Sequence, residues 1–238
     1  GSLLSRCKAL CPEVHTLSEL ADEVMGPRCA AAVYVLVYLY IFSGCGNYLL
    51  VLSKSLQAMF PGLCRPQAGL LGCACLLLPN AIRSLTSLAP ISIMSNSTII
   101  VAIAICLITV MLGEAPKSES LSSSLPVEAS LTFWSAFSAL SGSIFAFSGQ
   151  KIYLEIMSEM RDAAHFPYAL GAAMFLISTL YTITCLVVYS ARGVHSPRYL
   201  LDVLDVEHRK FASGLMFTHV VISYVISQQV LSRAYIHG

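Results

Sequence analysis

The chain has 238 residues, 56% of them apolar and 11% charged, with a mean hydropathy of +0.74. Soluble domains carry about 25% charged residues, and a single core of this size cannot hide so much apolar surface; the same balance excludes disorder, which needs the reverse. A net charge of +1 provides no basic field for nucleic acid.

The N-terminal residues lack an apolar run long enough for a signal peptide. The chain does not open with Met, which fits a processed product or a portion of a longer chain. Thr16 to Arg28 predicts a short amphipathic helix. Thr16 and Glu19 have capping-box spacing. Leu17, Leu20, Ala21, Val24 and Met25 share one face, and Gly26-Pro27 ends the helix. Such a helix lies on a membrane surface or, alternatively, binds a partner helix.

Charges punctuate the rest. Charge-free runs follow Arg28 (25 residues to Lys54), Arg83 (30 to Glu114), Glu128 (22 to Lys151), Asp162 (29 to Arg192) and Lys210 (22 to Arg233). Each exceeds the roughly 20 residues that cross a bilayer as a helix. The apolar stretch 66–80 predicts a sixth, short span, with Arg83 and Pro90 marking a tight turn into the next helix. The runs are continuous rather than alternating, so they are helices and not barrel strands. The expected fold class is an all-α integral membrane protein with about six transmembrane helices. A segment 1–28 precedes a transmembrane domain 29–235 with spans at about 29–53, 66–80, 85–113, 131–157, 165–191 and 211–233. Lys and Arg divide seven to seven between the two sides, so charge alone sets no orientation. The Ser-rich, acidic stretch 114–130 suits a solvated loop. The sequon Asn96-Ser97-Thr98 falls inside a span, where no glycan is expected.

The nine Cys form no CxxC pair, and no His stands near them at metal-ligand spacing. They read as small packing residues rather than a disulfide framework or a metal site. The six His are scattered and no HExxH or GxSxG occurs, so enzyme chemistry is not expected.

The 131–157 span is the unusual one. Ser135, Ser138, Ser141, Gly142, Ser143, Ser148 and Gly149 run through it. Small residues of this kind commonly serve close helix packing. The other reading is a helix broken around Ser148-Gly149-Gln150, whose freed backbone groups meet a carboxylate, an amine or an ion. Glu155 stands alone as an acid beyond the break, where a charge is usually functional or paired.

At this segment the sequence resembles the amino acid/auxin permease family. The resemblance rests on Phe145-Ala146-Phe147-Ser148-Gly149, then Leu154-Glu155-Ile156, Met160-Arg161-Asp162 and Phe166-Pro167. Ordered matches support it: Ser18-Glu19-Leu20-Ala21 ending at Gly26, Tyr48 with Lys54-Ser55-Leu56, Leu78-Pro79 before Leu85 and Ser92, and His219 with Tyr224. The resemblance implies a leucine-transporter-like fold of two inverted repeats, of which this chain holds the part from just before the third span to just after the eighth. It implies that residues 1–28 are cytoplasmic. It also implies that the broken first helix, half of the substrate site, comes from a longer native chain or from a partner.

What the resemblance implies for residues is as follows. Phe145, Ala146, Phe147, Ser148 and Gly149 form the unwound substrate-binding segment, with Phe147 as an aromatic gate or, equally, an ordinary packed ring. Glu155 gates or forms a salt bridge. Thr218 and Ser223 are candidates for an ion site, although such hydroxyls usually bond to the i−4 carbonyl. His219 titrates in a proton-coupled cycle or is a neutral packing residue. Asn47, beside Gly44 and Gly46, lines the pathway or joins two helices.

The expected function is therefore secondary active transport of amino acids, coupled to protons or sodium. No cofactor is expected beyond that ion, and the partners are an amino acid and the lipid bilayer. The alternative is a non-transporting, truncated or regulatory membrane protein derived from the same family. Plasma membrane and vacuolar or lysosomal membrane fit the sequence equally.

Overall fold

The computed structural model describes residues 2–77, 85–113, 132–193, 196–197 and 199–237, the side chains of 85–89 and 230–237 apart. Among the described residues the regular structure is entirely helical. The helices are α1 (Ser2–Leu10), α2 (Leu17–Met25), α3 (Pro27–Met59), α4 (Arg65–Leu77), α5 (Leu85–Met111), α6 (Phe133–Ala146), α7 (Tyr153–Glu159), α8 (Phe166–Arg192) and α9 (Val206–His237).

Local chemistry explains the boundaries. Thr16 caps α2, its hydroxyl accepting from the Glu19 N–H at 3.2 Å, while the Glu19 carboxylate accepts from the His15 N–H at 2.7 Å. Gly26 ends α2 at φ +87°, a left-handed conformation that glycine adopts without strain. Pro27 then opens α3, where its missing N–H costs nothing. The Asp162 carboxylate caps the 3-10 turn Ala163–His165 that leads into α8.

Among the described residues four segments are long and apolar enough to cross a membrane: Pro27–Met59, Pro90–Met111, Ala163–Arg192 and Val206–Gln229. The other two expected spans are shorter helices, α4 with 13 residues and α6 with 14. Pro90, expected with Arg83 to mark the turn into this helix, lies inside α5, where helical backbone runs from Leu85. The helix starts five residues before the proline, so Pro90 falls in its second turn. Arg83, Leu78-Pro79 and the 114–130 stretch lie outside the described residues.

The packing centres on α9, which runs against both α3 and α5. Leu52, Leu76 and Val220 join α3, α4 and α9, and the contact is close: a Cβ on Gly72 would sit 3.0 Å from Leu52 Cδ2. Ala102 and Cys106 of α5 pack on Ala212 of α9 through Leu201 and Leu204 of the connecting segment. A separate cluster of Val14, Leu20, Tyr153, Leu154, Met157 and Phe166 ties α2, α7 and α8 together on the N-terminal segment. α6 stands apart. Every residue from Thr132 to Phe147 is exposed, and a Cβ on Gly142 would meet nothing within 4 Å.

Candidate functional site

The 131–157 segment is broken. α6 ends at Ala146, Phe147 and Ser148 leave helical geometry, a 3-10 turn covers Gly149–Ile152, and α7 begins at Tyr153. Gly149 lies tight against the turn that follows: a Cβ there would lie 3.0 Å from the Tyr153 ring. A side chain at 149 would fit only if the Tyr153 ring gave way by a few tenths of an ångström, which is a steric reason favouring glycine at this position.

The backbone N–H groups of the break are not free. Phe147 donates to the Ile144 carbonyl at 3.2 Å, Ser148 to Phe145 at 3.2 Å, and Gly149 to Phe147 at 3.0 Å. The chain satisfies its own donors with turns in place of the lost helical bonds. The expected unpaired amides at 147–149 are therefore engaged.

Side chains from α3 and α8 hold the break. The Ser148 hydroxyl donates to the Phe145 carbonyl at 2.7 Å. Its one hydrogen is thereby committed, so in the 2.5 Å contact between Tyr40 Oη and Ser148 Oγ it is Tyr40 that donates. The Tyr40 and Phe145 rings lie 5.8 Å apart, and the Lys151 ammonium sits 4.2 Å from the Tyr40 centroid and 5.9 Å from that of Phe145. Phe147 is partly exposed and meets Tyr181 of α8 edge to face at 5.7 Å.

Glu155 is 7% exposed in the first turn of α7, with Glu19 and Tyr38 near enough to interact electrostatically. Its Oε2 makes no hydrogen bond among the described residues.

His219 forms a second polar group, between α9 and α5. Its Nδ1 lies 3.0 Å from the Ser95 hydroxyl and 3.2 Å from the Ser95 carbonyl, and its Nε2 lies 3.5 Å from the Ser223 hydroxyl. Either neutral tautomer finds a partner on the Ser95 side. With the proton on Nδ1 it donates to the Ser95 carbonyl; with it on Nε2, Nδ1 accepts from the Ser95 hydroxyl. Thr218 turns its hydroxyl to the Gly214 carbonyl at 3.2 Å, the ordinary i−4 bond within a helix. Asn47 lies exposed on α3.

The structure thus brings Phe145, Phe147, Ser148 and Gly149 together at the break and pairs His219 with Ser223. The two groups connect through α3: Ile41 and Cys45 pack on Ile152 of the break and on Tyr224 of α9. No three His, Cys, Asp or Glu converge among the described residues. Sequence reasoning missed Tyr40, Lys151, Tyr181 and Ser95. Lys151 was visible as the charge closing an apolar run; the other three carry no local signal.

The sequence profile of the family described as "Transmembrane amino acid transporter protein" matches residues 1–235. Two curated Arabidopsis thaliana proteins are similar to the chain. "Amino acid transporter AVT1D" is 23% identical over 209 residues, 81% of this chain and 36% of the relative. "Amino acid transporter AVT1E" is 31% identical over 61 residues, 26% of this chain and 12% of the relative. The chain spans about a third of the length of AVT1D (36%). No solved structure matches.

Proposed function

Because the chain belongs to the transmembrane amino acid transporter family, we propose that it takes part in secondary active transport of amino acids, with the substrate held at the 147–152 break and a proton gradient coupled through His219. The observation that supports this most directly is the break itself. A helix interrupted beside a glycine tightly approached by a tyrosine ring, and braced by a tyrosine of another helix, is a device for presenting polar groups inside a membrane. The names of the relatives, both amino acid transporters, support the substrate class. His219 favours the proton as coupling ion, because one ring nitrogen faces the Ser95 hydroxyl of α5 across an interhelical contact and the other lies 3.5 Å from the Ser223 hydroxyl of its own helix. The proposal includes a leucine-transporter-like arrangement of two inverted repeats. In it this chain contributes the broken helix of one repeat, and the counterpart comes from a longer native chain or a partner.

The test is uptake of radiolabelled L-amino acids into proteoliposomes under imposed gradients. An inward acid gradient is expected to drive accumulation, and accumulation driven by sodium alone would replace the proton. Gly149→Val pushes a branched side chain into the Tyr153 ring and is expected to lower uptake by about tenfold or more. Unchanged uptake in a Phe147→Ala, Gly149→Val double variant removes the break as the substrate site.

A further inference from the structure

We propose that the Lys151 ammonium is the anion-binding group of the break and takes the carboxylate of the carried molecule. This rests on the transport reading above for the identity of the ligand, though not for the site itself.

An anion at the break needs N–H or O–H groups with hydrogen to give. The amides of Phe147, Ser148 and Gly149 are engaged within the chain. The Ser148 hydroxyl is committed to the Phe145 carbonyl, and the Tyr40 hydroxyl to Ser148. Among the described residues no hydrogen bond engages the three N–H groups of Lys151. It is the one nearby side chain that combines positive charge with uncommitted donors.

Its charge is also uncompensated. The four ion pairs among the described residues lie elsewhere, at Asp162–His165, Asp205–His208, Asp202–Arg209 and Glu207–Lys210. Lys151 is half-buried beside the Tyr40 and Phe145 rings, with the Cys45 thiol near enough to interact electrostatically, and no carboxylate pairs with it among the described residues. A cation–π contact is weaker than a charge-assisted hydrogen bond to a carboxylate, and in a membrane-embedded setting an unpaired ammonium gains most from a counter-ion. The Tyr40 ring covers one side of the ammonium and fixes its position; the N–H groups pointing away from the ring remain to bind. Tyr40 thereby has two tasks, holding Ser148 with its hydroxyl and Lys151 with its face. A ligand with a carboxylate is the class this arrangement takes. An amide or a bare amine lacks the charge that the site calls for.

Lys54 is a built-in control, since its ammonium also lies over a ring, 5.2 Å from Tyr199. The chain in proteoliposomes is treated with an acylating ester, and modification of each lysine is followed by mass spectrometry. The probes are propionate, isobutyrate and 3-phenylpropionate, which carry a carboxylate but no amine to consume the reagent. Chloride and propionamide serve as comparisons. A carboxylate is expected to slow acylation of Lys151 by at least about threefold and to leave Lys54 unchanged, with no protection by chloride or propionamide. Equal rates at Lys151 with and without every carboxylate, or complete inertness of Lys151 to the ester, overturns the proposal. In uptake assays Lys151→Gln is expected to raise the KM for a carried amino acid by about tenfold or more, with partial recovery in Lys151→Arg. Wild-type uptake with an unchanged KM in Lys151→Gln overturns the anion site and leaves the transport reading standing. Protection of Lys151 by carboxylates in a chain that carries none of the twenty amino acids does the reverse.

Discussion

α9 and α6 are both apolar helices rich in small and hydroxyl residues, yet they have opposite surroundings. α9 is wedged between α3 and α5, with Ala212 and Ser213 fully buried and His219 bonded across to Ser95. α6 has no buried residue at all. The difference teaches that composition places a helix in a membrane but does not say which of its faces meets protein. Lipid tails are as apolar as leucine, so nothing but shape and polar pairing separates a packed helix from a bare one. In α9 the small residues admit a neighbour. In α6 the same kind of residue faces outward, and the order in that segment lies at its end, where Tyr40, Tyr181 and Lys151 gather on the break.

The comparison breaks most readily through packing. Leu52→Ala empties a fully buried site between α3, α4 and α9. It is expected to cost about 2 kcal/mol, the low end of the core range, because transfer into lipid returns no hydrophobic gain and only the cavity and its lost contacts count. Gly142→Ala in α6 adds a methyl that meets nothing and is expected to change stability by less than about 0.5 kcal/mol. Thermal unfolding in detergent measures both, and a similar fall in Tm for the two would sink the contrast.

A smaller effect sharpens the picture at the break. Tyr40→Phe keeps the ring beneath Lys151 but deletes the hydroxyl that donates to Ser148. The expected loss is about 1 kcal/mol, with faster hydrogen exchange confined to residues near 147–152. Exchange that rises evenly along α3 instead would mean that Tyr40 braces its own helix and not the break.

The smallest effect lies outside the bundle. The His208 ring, hydrogen-bonded to Asp205 at the start of α9, holds the Asp205 carboxyl below its ordinary value. A depressed carboxyl stabilises the fold above the unfolded pKa of about 3.9 and loses that contribution as pH falls through the lower folded value. Asp205→Asn is therefore expected to cost a little Tm at neutral pH, with the difference from wild type fading only in strong acid. A difference that fades between pH 7 and pH 6 would assign the effect to another group. Both partners are exposed, so screening by salt keeps this effect below the other two.

Particular residues show how far the sequence could be read. The break was legible because Ser148 and Gly149 interrupt an apolar run, and glycine without a helical reason marks a special backbone position. The Thr16–Glu19 cap was legible because capping acts over three residues. Tyr40 was not, since Tyr34, Tyr38 and Tyr40 look alike along α3 and only the third meets Ser148, 108 positions away. α1 was not, because its nine residues carry neither a cap nor a strong apolar face. Pro90 was read with Arg83 as marking the turn into a span expected from 85, and it falls in the second turn of α5, because a proline near a helix start carries the same local signal as one just outside it.

By itself the sequence determined that the chain is helical and membrane-embedded and where its apolar runs end, and it offered a break near Ser148-Gly149 as one of two readings of one span. These follow from hydropathy, charge spacing and backbone preference, which act over a few residues. Tertiary structure decided which helices shelter one another, which hydroxyl meets His219, and which cation stands unpaired at the break. Those depend on contacts between residues a hundred or more positions apart, where no local preference reaches and the packing of α3, α5 and α9 sets the geometry.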